Sequence, residues 1–109
     1  MNTSRFVTNL PTALKPTKGA GHLTATTISS TAVASSAIGT LHADTEVVTF
    51  QVATDSVRMT VNGTTPTSAV GLLLYPGQIW SLSRSEWLAA KFIRVTTDAS
   101  IQGIQERAA

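Results

Sequence analysis

Apolar and polar residues alternate with a period of two along much of the chain, most clearly in its middle. In the segment "EVVTFQVA", residues 46–53, the side chains of Val48, Phe50 and Val52 fall on one face of an extended strand. The segment "VRMTV", residues 57–61, alternates in the same way, with its two valines and its methionine on one face. Both patterns predict β-strands that are buried on one side.

Turn signals separate these segments from the ones that follow. Residues 53–56 are predicted to form a tight turn between the first two strands. Segments 70–75 and 78–83 are predicted to pair with each other through Pro76-Gly77. Proline fixes φ and glycine accepts a positive φ, so this dipeptide suits the centre of a type II turn.

Weaker strand signals lie on both sides of this middle region. Residues 22–30 and 31–41 are rich in Thr and small apolar residues, which predicts two short strands with a turn between them. Residues 92–97 and 101–106 are predicted as the last two strands. Gly103 inside the final segment predicts a β-bulge or an edge position.

One short helix interrupts the strand pattern. Ser83 and Glu86 have the spacing of a capping box, in which each side chain bonds to the other residue's backbone N–H. The helix-forming stretch after them, residues 87–90, has room for one or two turns.

Short strands at roughly 8–12 residue spacing, with one helical turn, predict an all-β fold. We expect a small antiparallel β-sandwich or jelly-roll-like domain over residues 22–109. Residues 1–21 lack a sustained period and are predicted to form an extended N-terminal arm. The arm is either a disordered tail or a segment that orders on a neighbouring subunit. Its candidate contact residues are Arg5, Phe6, Leu10, Lys15 and Lys18.

Composition adds a prediction about assembly. Charged residues make up 13% of the chain, whereas it contains 18 Thr and 11 Ser, so its surface is largely uncharged. Such a surface repels its neighbours weakly, which favours packing against partners. The chain has no cysteine, which excludes disulfides and thiolate metal sites.

The basic residues are too dilute to predict sequence-specific binding of nucleic acid. Residues 1–43 contain three basic residues and no acidic one before Asp44. Three charges over that length do not form a patch that follows a phosphate backbone. No window approaches a membrane span and no secretory signal is visible, so we expect no membrane partner.

Candidate chemistry is sparse. His22 and His42 lie in Thr-rich or turn-like surroundings, and no G-x-S-x-G motif is present to supply a positioned nucleophile. The pair His42 and Asp44 would share one face of a strand, which occurs often by chance. Neither a metal nor an organic cofactor is predicted, and we expect no enzymatic activity.

The aromatic residues leave two interpretations open. Trp80 and Trp87 flank the helical turn, and they are either part of the core or a platform for carbohydrate or protein binding. Within its strand, Trp80 must point away from Ile79 and share a face with Leu82. We therefore keep Trp80 as a candidate contact residue.

A second candidate contact region is the polar loop that follows residues 57–61. It begins with an Asn-Gly turn signal and is stiffened by a proline, and nothing in it activates a nucleophile or binds phosphate. Its candidate contact residues are Asn62, Gly63, Thr64 and Pro66.

The segments "VRMTVNGTTPTSAVGLLLYPGQIWSL" and "LAAKFIRVTTDASIQ" carry a resemblance over Val57 to Ile104. The shared positions are Val57-Arg58, Asn62-Gly63-Thr64, Pro66-Thr67, Gly71, Gly77, Phe92-Ile93-Arg94 and Thr97-Asp98-Ala99. This pattern resembles that of small virion proteins of tailed bacteriophages, although Asn-Gly replaces the more usual Asp-Gly. Residues 25–53 fit loosely, and the arm is not covered.

The resemblance implies a non-enzymatic structural protein of a phage particle, made in the cytoplasm of a bacterial host. A capsid cement or decoration protein is the first expectation, with the major capsid protein as partner and a homo-oligomer, preferably a trimer, as its state. A neck, head–tail connector or tail component is the alternative, with portal, connector or tail proteins as partners. A carbohydrate-binding module is the third interpretation.

Overall fold

The computed structural model describes residues 14–16 and 21–108 of the chain. Of the predicted arm, residues 1–21, it describes only the short strand β1 and Gly21. A 3₁₀ turn spans Ser35–Ala37 and one α-helix, α1, spans Arg84–Ala89. The strands in the described part of the chain are β1 (Leu14–Pro16), β2 (His22–Ile28), β3 (Val33–Ala34), β4 (Val47–Ala53), β5 (Val57–Thr60), β6 (Leu72–Leu74), β7 (Ile79–Ser83), β8 (Lys91–Arg94) and β9 (Ala99–Ala108).

The strands form two antiparallel sheets that enclose one core. In the first sheet the order is β1-β9-β4-β7, with β2 also pairing with β9, and in the second it is β3-β8-β5-β6. The pairs are nested: β2 pairs with β9, β3 with β8, β4 with β7 and β5 with β6. Nested pairing of eight strands across two sheets is the jelly-roll arrangement. The prediction of an all-β sandwich of the jelly-roll type is confirmed.

Strand β9 is longer and more central than the sequence predicted. It spans ten residues instead of six, because β4 pairs along one side and β1 and β2 share the other. Gly103 is therefore not at an edge. A Cβ on Gly103 would lie 2.6 Å from the carbonyl oxygen of Thr49, so only glycine fits. The register shift lies in β2, between Leu23 and Thr26, opposite this part of β9.

After β2, every strand except β6 lies in the other sheet from the strand before it, which corrects one prediction. Segments 70–75 and 78–83 do not form a hairpin, since β6 and β7 belong to opposite sheets. The turn between them is as predicted. The N–H of Gln78 donates to the carbonyl of Tyr75 at 3.1 Å, and Gly77 has a φ of 89°.

The core lies between the inner faces of the two sheets. Val48, Phe50 and Val52 of β4 are all buried, as their alternation predicts. The ring of Phe50 packs against those of Trp87 and Phe92 with centroid distances of 5.6 and 5.7 Å. For Trp87 the core interpretation is therefore correct, and its side chain is not available as a binding platform.

Helix α1 begins with the predicted capping box. The Ser83 hydroxyl accepts from the N–H of Glu86, and the Glu86 carboxylate accepts from the N–H of Ser83 at 3.1 Å. The cap sets the direction in which the chain leaves β7, and this orientation inserts Trp87 into the core.

A buried amide attaches the connection between β3 and β4 to the centre of the first sheet. Gln105 of β9 is buried, and its side-chain oxygen accepts from the N–H of His42 at 2.9 Å and the hydroxyl of Thr45 at 2.7 Å. Its NH₂ group donates to the carbonyl of Thr40 at 3.1 Å. These bonds replace the water that the loop would otherwise bind.

Candidate interaction surface

Two uncharged stretches of the chain contribute strands to the lateral sides of the sandwich, although β1, which contains Lys15, lies beside β9 on the same side as β2. Residues 19–43 and 59–83 contain no Asp, Glu, Lys or Arg. The first stretch supplies the consecutive strands β2 and β3, and the second supplies β6 and β7. Since β3, β6 and β7 are edge strands and β2 flanks β9, each uncharged stretch contributes strands to one side of the molecule.

The side built by β6 and β7 also exposes apolar side chains. Four of the five exposed large hydrophobic residues in the described part of the chain lie there: Val70 at 50%, Leu72 at 51%, Tyr75 at 53% and Ile79 at 38%. We refer to these four residues as the apolar edge. Apolar residues grouped on an uncharged side are typical of a protein-binding surface.

Leu72 shows why this side is open. It pairs with Met59, whose side chain is buried in the core. Residues opposite each other in an antiparallel pair point to the same face, so Leu72 occupies an inward-facing position. It is nevertheless half exposed, because β6 is the edge of its sheet and no described strand lies beyond it.

The hydrogen-bond pattern of β7 shows which of its backbone groups face the open edge. At the two ends of the pairing with β4, the N–H of Arg84 donates to Glu46 at 2.9 Å and the N–H of Val52 donates to Gln78 at 3.2 Å. Every second residue of an antiparallel strand bonds to the same neighbour. Gln78 and Arg84 both bond at the ends of the pairing with β4, so the residues at even positions between them also direct their backbone groups toward β4.

Because they occupy even positions between Gln78 and Arg84, Trp80 and Leu82 direct their backbone N–H and carbonyl groups toward β4. Ile79 and Ser81 direct theirs away from the sheet, where no described strand pairs with them. Within the described part of the chain, the edge of β7 thus presents two N–H groups and two carbonyls without a strand partner. Such groups form a template for another strand.

The loop that contains the predicted contact residues leads into the apolar edge at Val70. Arg58 points outward from β5, and its guanidinium donates to the carbonyls of Ser68 and Gly71 at 3.2 and 3.1 Å, which fastens the loop over the outer face of the second sheet. Of the predicted contact residues, Asn62, Gly63 and Thr64 are exposed, and Gly63 has a φ of 84°. The fourth, Pro66, is buried within the chain.

Trp80 shares a face of β7 with Leu82, as predicted, and that face is the inner one. It pairs with buried Phe50 and packs against the core beside buried Leu82, whereas Ile79 points the other way and is exposed. Its indole Nε1 is buried and makes no hydrogen bond to a described residue. Trp80 therefore supports the apolar edge from inside instead of presenting its ring to solvent.

The predicted arm residues are only partly placed. Lys15 lies in β1, opposite Arg107 of β9. Arg5, Phe6, Leu10 and Lys18 lie outside the described residues. Their role in contacts stays a prediction.

A shallow depression of about 400 Å³ lies on the outer face of the first sheet. Its lining is uncharged, and the amides of Gln51 and Gln102 bond to each other across it at 3.1 Å. Ile79 belongs both to this lining and to the apolar edge, so the two surfaces are continuous. The side chains that line its floor and walls include His22, Thr49, Gln51, Ile79, Gln102 and Ile104.

Titratable groups are distributed without a shared site. His22 begins β2 and His42 lies in the connection between β3 and β4. No group of three or more His, Asp or Glu residues is suitably placed for a metal ion in the described residues. None of the helices described in the chain has the length and apolar character needed to cross a membrane.

Hydrogen bonds at one end of the sandwich lower the pKa of Asp55. The Thr97 hydroxyl donates to its carboxylate, as does the N–H of Ser56 at 2.7 Å, and these bonds lower the pKa of Asp55 below its usual value. The bonds tie the turn after β4 to the loop after β8 at one end of the sandwich.

Sequence reasoning missed the apolar edge because it treated the exposed leucine and isoleucine as members of an ordinary hairpin. A signal was nevertheless present, since the absence of charge over 59–83 coincides with two predicted strands. Which residues of these strands are exposed depends on the sheet order, and only the structure provides it.

Comparison of the chain with protein-family models, with curated proteins and with solved structures finds no match.

Proposed function

We propose that this chain is a non-enzymatic structural protein of a phage particle, a capsid cement or decoration protein that stabilises the shell through self-association and contacts made by its N-terminal arm. The resemblance over Val57 to Ile104 supports a virion protein. The observation that carries the proposal is the apolar edge on an uncharged side of the jelly roll.

An exposed apolar edge of this kind is unfavourable for a protein that stays monomeric. Half-exposed Leu72 and Ile79 lose contact with water when a partner covers them, which favours association by about 25 cal/mol per Å² of buried apolar area. No charge has to be desolvated on this side. A cement protein uses this gain to hold neighbouring subunits together.

Binding to capsids tests the proposal directly. Purified protein is added to capsids of the source phage that lack it, and bound copies are counted by cryo-electron microscopy. We expect saturable binding with capsid symmetry and greater resistance of the shell to heating. A protein that leaves capsids bare and equally heat-sensitive contradicts the proposal.

A head–tail connector, neck or tail component is the second candidate, because lateral contacts between flat sides also build rings. Particles assembled without the protein separate the two functions. Particles with fragile capsids and normal tails support the cement function. Heads without tails support the connector function.

The carbohydrate-binding interpretation is weaker on this fold. It relied on Trp80 and Trp87 as a platform, but Trp87 is fully buried and Trp80 faces the core. A glycan array with hits that are lost on substituting an exposed residue of the outer-face depression, such as Gln102, would revive it at a different site.

A further inference from the structure

We propose that β7 pairs edge to edge with β7 of a second copy of this chain. The two strands run antiparallel about a twofold axis, with Ile79 of each copy opposite Ser81 of the other and Trp80 opposite Trp80. The pair joins the first sheets of the two copies into one continuous sheet. This inference rests on the self-association in the proposed function, but not on attachment to a particle.

The register follows from the backbone groups that are free. Ile79 and Ser81 each offer one N–H and one carbonyl at the open edge. Placing Ile79 opposite Ser81 lets each N–H donate to a carbonyl of the other copy, which makes four hydrogen bonds. The alternative register centred on Ser81 requires the N–H of Ser83, which already donates to Glu86.

The pairing also matches side chains by face. Residues opposite each other in an antiparallel pair point to the same side of the sheet. The Trp80 side chains of the two copies therefore meet on the core side, and each Ile79 lies beside a Ser81 on the outer side. Leu72 and Tyr75, which precede β7 along the chain in β6 and in the turn after it, are expected to be covered by the same partner.

Charge identifies the partner as a second copy. A twofold axis brings each residue close to its own counterpart, so a single charge near the axis would face a like charge. Residues 59–83 contain no charged side chain, and the charged residues that flank this stretch along the chain, Arg58 and Arg84, lie outside the paired segment. Self-pairing is thus free of repulsion along its whole length.

Strand β7 also lacks the features that prevent edge pairing. Edge strands are commonly blocked by an inward-pointing charge, a proline, a bulge or very short length. Residues 79–83 read Ile-Trp-Ser-Leu-Ser, and their pairing with β4 runs without a register shift. The edge is open to a strand that fits.

Disulfide trapping tests the register. The chain has no cysteine, so the single variants Ile79→Cys and Ser81→Cys each carry one thiol. In the proposed pair, position 79 lies opposite position 81 of the other copy at a Cα distance of about 5.5 Å, which suits a disulfide. The same position in the two copies is diagonal, at about 7–8 Å, which is too far.

We therefore expect an oxidised mixture of the two variants to form several-fold more crosslinked dimer than either variant alone. Thr27→Cys, on an exposed position of β2, is the matched control, and mixing it with Ser81→Cys tests a head-to-tail ring. If crosslinks form only in this control mixture, or if each variant crosslinks as well alone as in the mixture, the proposed register is wrong.

A charge substitution tests the interface without oxidation. Ile79→Lys places two like charges beside the twofold axis and should raise the dimer dissociation constant at least tenfold in sedimentation equilibrium. Leu88→Lys, at an exposed position of α1 outside the paired segment, should leave it unchanged. Circular dichroism checks that both variants are folded.

The outcomes separate this inference from the proposed function. A wild-type protein that is a monomer, or a trimer insensitive to Ile79→Lys, overturns the β7 pairing even if it binds capsids. A dimer that dissociates on Ile79→Lys supports the pairing even if capsids do not bind it, in which case the cement function fails.

Discussion

The strand pairs β2–β3 and β6–β7 come from two uncharged stretches of the chain but form different edges of this jelly roll. On the side of β2 and β3, a register shift interrupts β2 and β3 is only two residues long. On the opposite side, β7 pairs with β4 without interruption and apolar residues are exposed. Bulges and short strands prevent edge pairing. An uncharged sequence alone therefore does not make an interface, because in the described part of the chain only the β7 side leaves a strand edge usable.

The largest expected effect comes from the core that both sides share. Trp87→Ala removes a fully buried indole that packs against Phe50 and Phe92, and should cost about 3–5 kcal/mol in the free energy of unfolding. The adjacent Leu88→Ala, at an exposed position, should cost less than about 0.5 kcal/mol. Urea denaturation measures both. Equal effects would show that the indole is not part of a common core.

The next effect should separate the two sides. Gln105→Leu removes the hydrogen bonds to Thr40, His42 and Thr45 in the connection between β3 and β4. The loss should lower the free energy of unfolding by about 2–3 kcal/mol. Hydrogen exchange should increase first in residues 40–45 and leave the β7 edge unchanged. Gln102→Leu, on the same strand but exposed, is the control and should stay within about 0.5 kcal/mol. Uniform loss of protection would contradict a side-specific role.

A charge placed on one side or the other tests which side carries the self-association interface. Leu72→Lys places a charge on the apolar edge and should therefore raise the dissociation constant of self-association about tenfold. This change corresponds to about 1.4 kcal/mol of binding free energy. Thr27→Lys, at an exposed position of β2 on the other side, should leave association unchanged. Light scattering over a dilution series measures both. If the Thr27 variant dissociates and the Leu72 variant does not, the interfaces have been assigned to the wrong sides.

The smallest effect lies at the end of the sandwich, away from both sides. Hydrogen bonds from Thr97 and Ser56 lower the pKa of Asp55, so the ionised carboxylate is favoured in the folded state. This contribution to stability is present above the usual pKa of an aspartate and is lost as the pH falls through the lowered value. Asp55→Asn should therefore reduce the loss of stability between about pH 6 and about pH 2. Urea unfolding midpoints at the two pH values measure the loss of stability in the variant and in the wild type. An equal loss in both would show that Asp55 does not contribute to the pH dependence of stability.

Local signals in the sequence predicted local structure well. The alternation around Phe50, the type II turn at Gly77 and the capping box at Ser83 depend on neighbouring residues, and all three are confirmed. The alternation also predicted correctly that Trp80 faces away from Ile79.

Strand partners could not be predicted from the same signals. The short turns around Thr54 and Gly77 suggest hairpins, but each leads the chain from one sheet to the other, because the nested pairs join strands far apart in sequence. Gly103 illustrates the same limit. Glycine is required at position 103 because Thr49 of β4 approaches it closely, and this contact cannot be read from the sequence of the final segment alone. The apolar edge also depended on sheet order, so it was not recognised from the sequence.

The central position of β9 has a consequence for how the domain forms. Thr26 pairs with Ile101, and β9 follows the eight other described strands along the chain while separating β2 from β4. Contacts between distant segments make folding slow, on the order of milliseconds to seconds for such β proteins. Until residues 99–108 have been synthesised, β4 keeps an open inner edge that can pair with another nascent chain. Soluble yield should therefore depend on how quickly a complete chain closes its first sheet, a kinetic demand that the stability of the finished domain does not reveal.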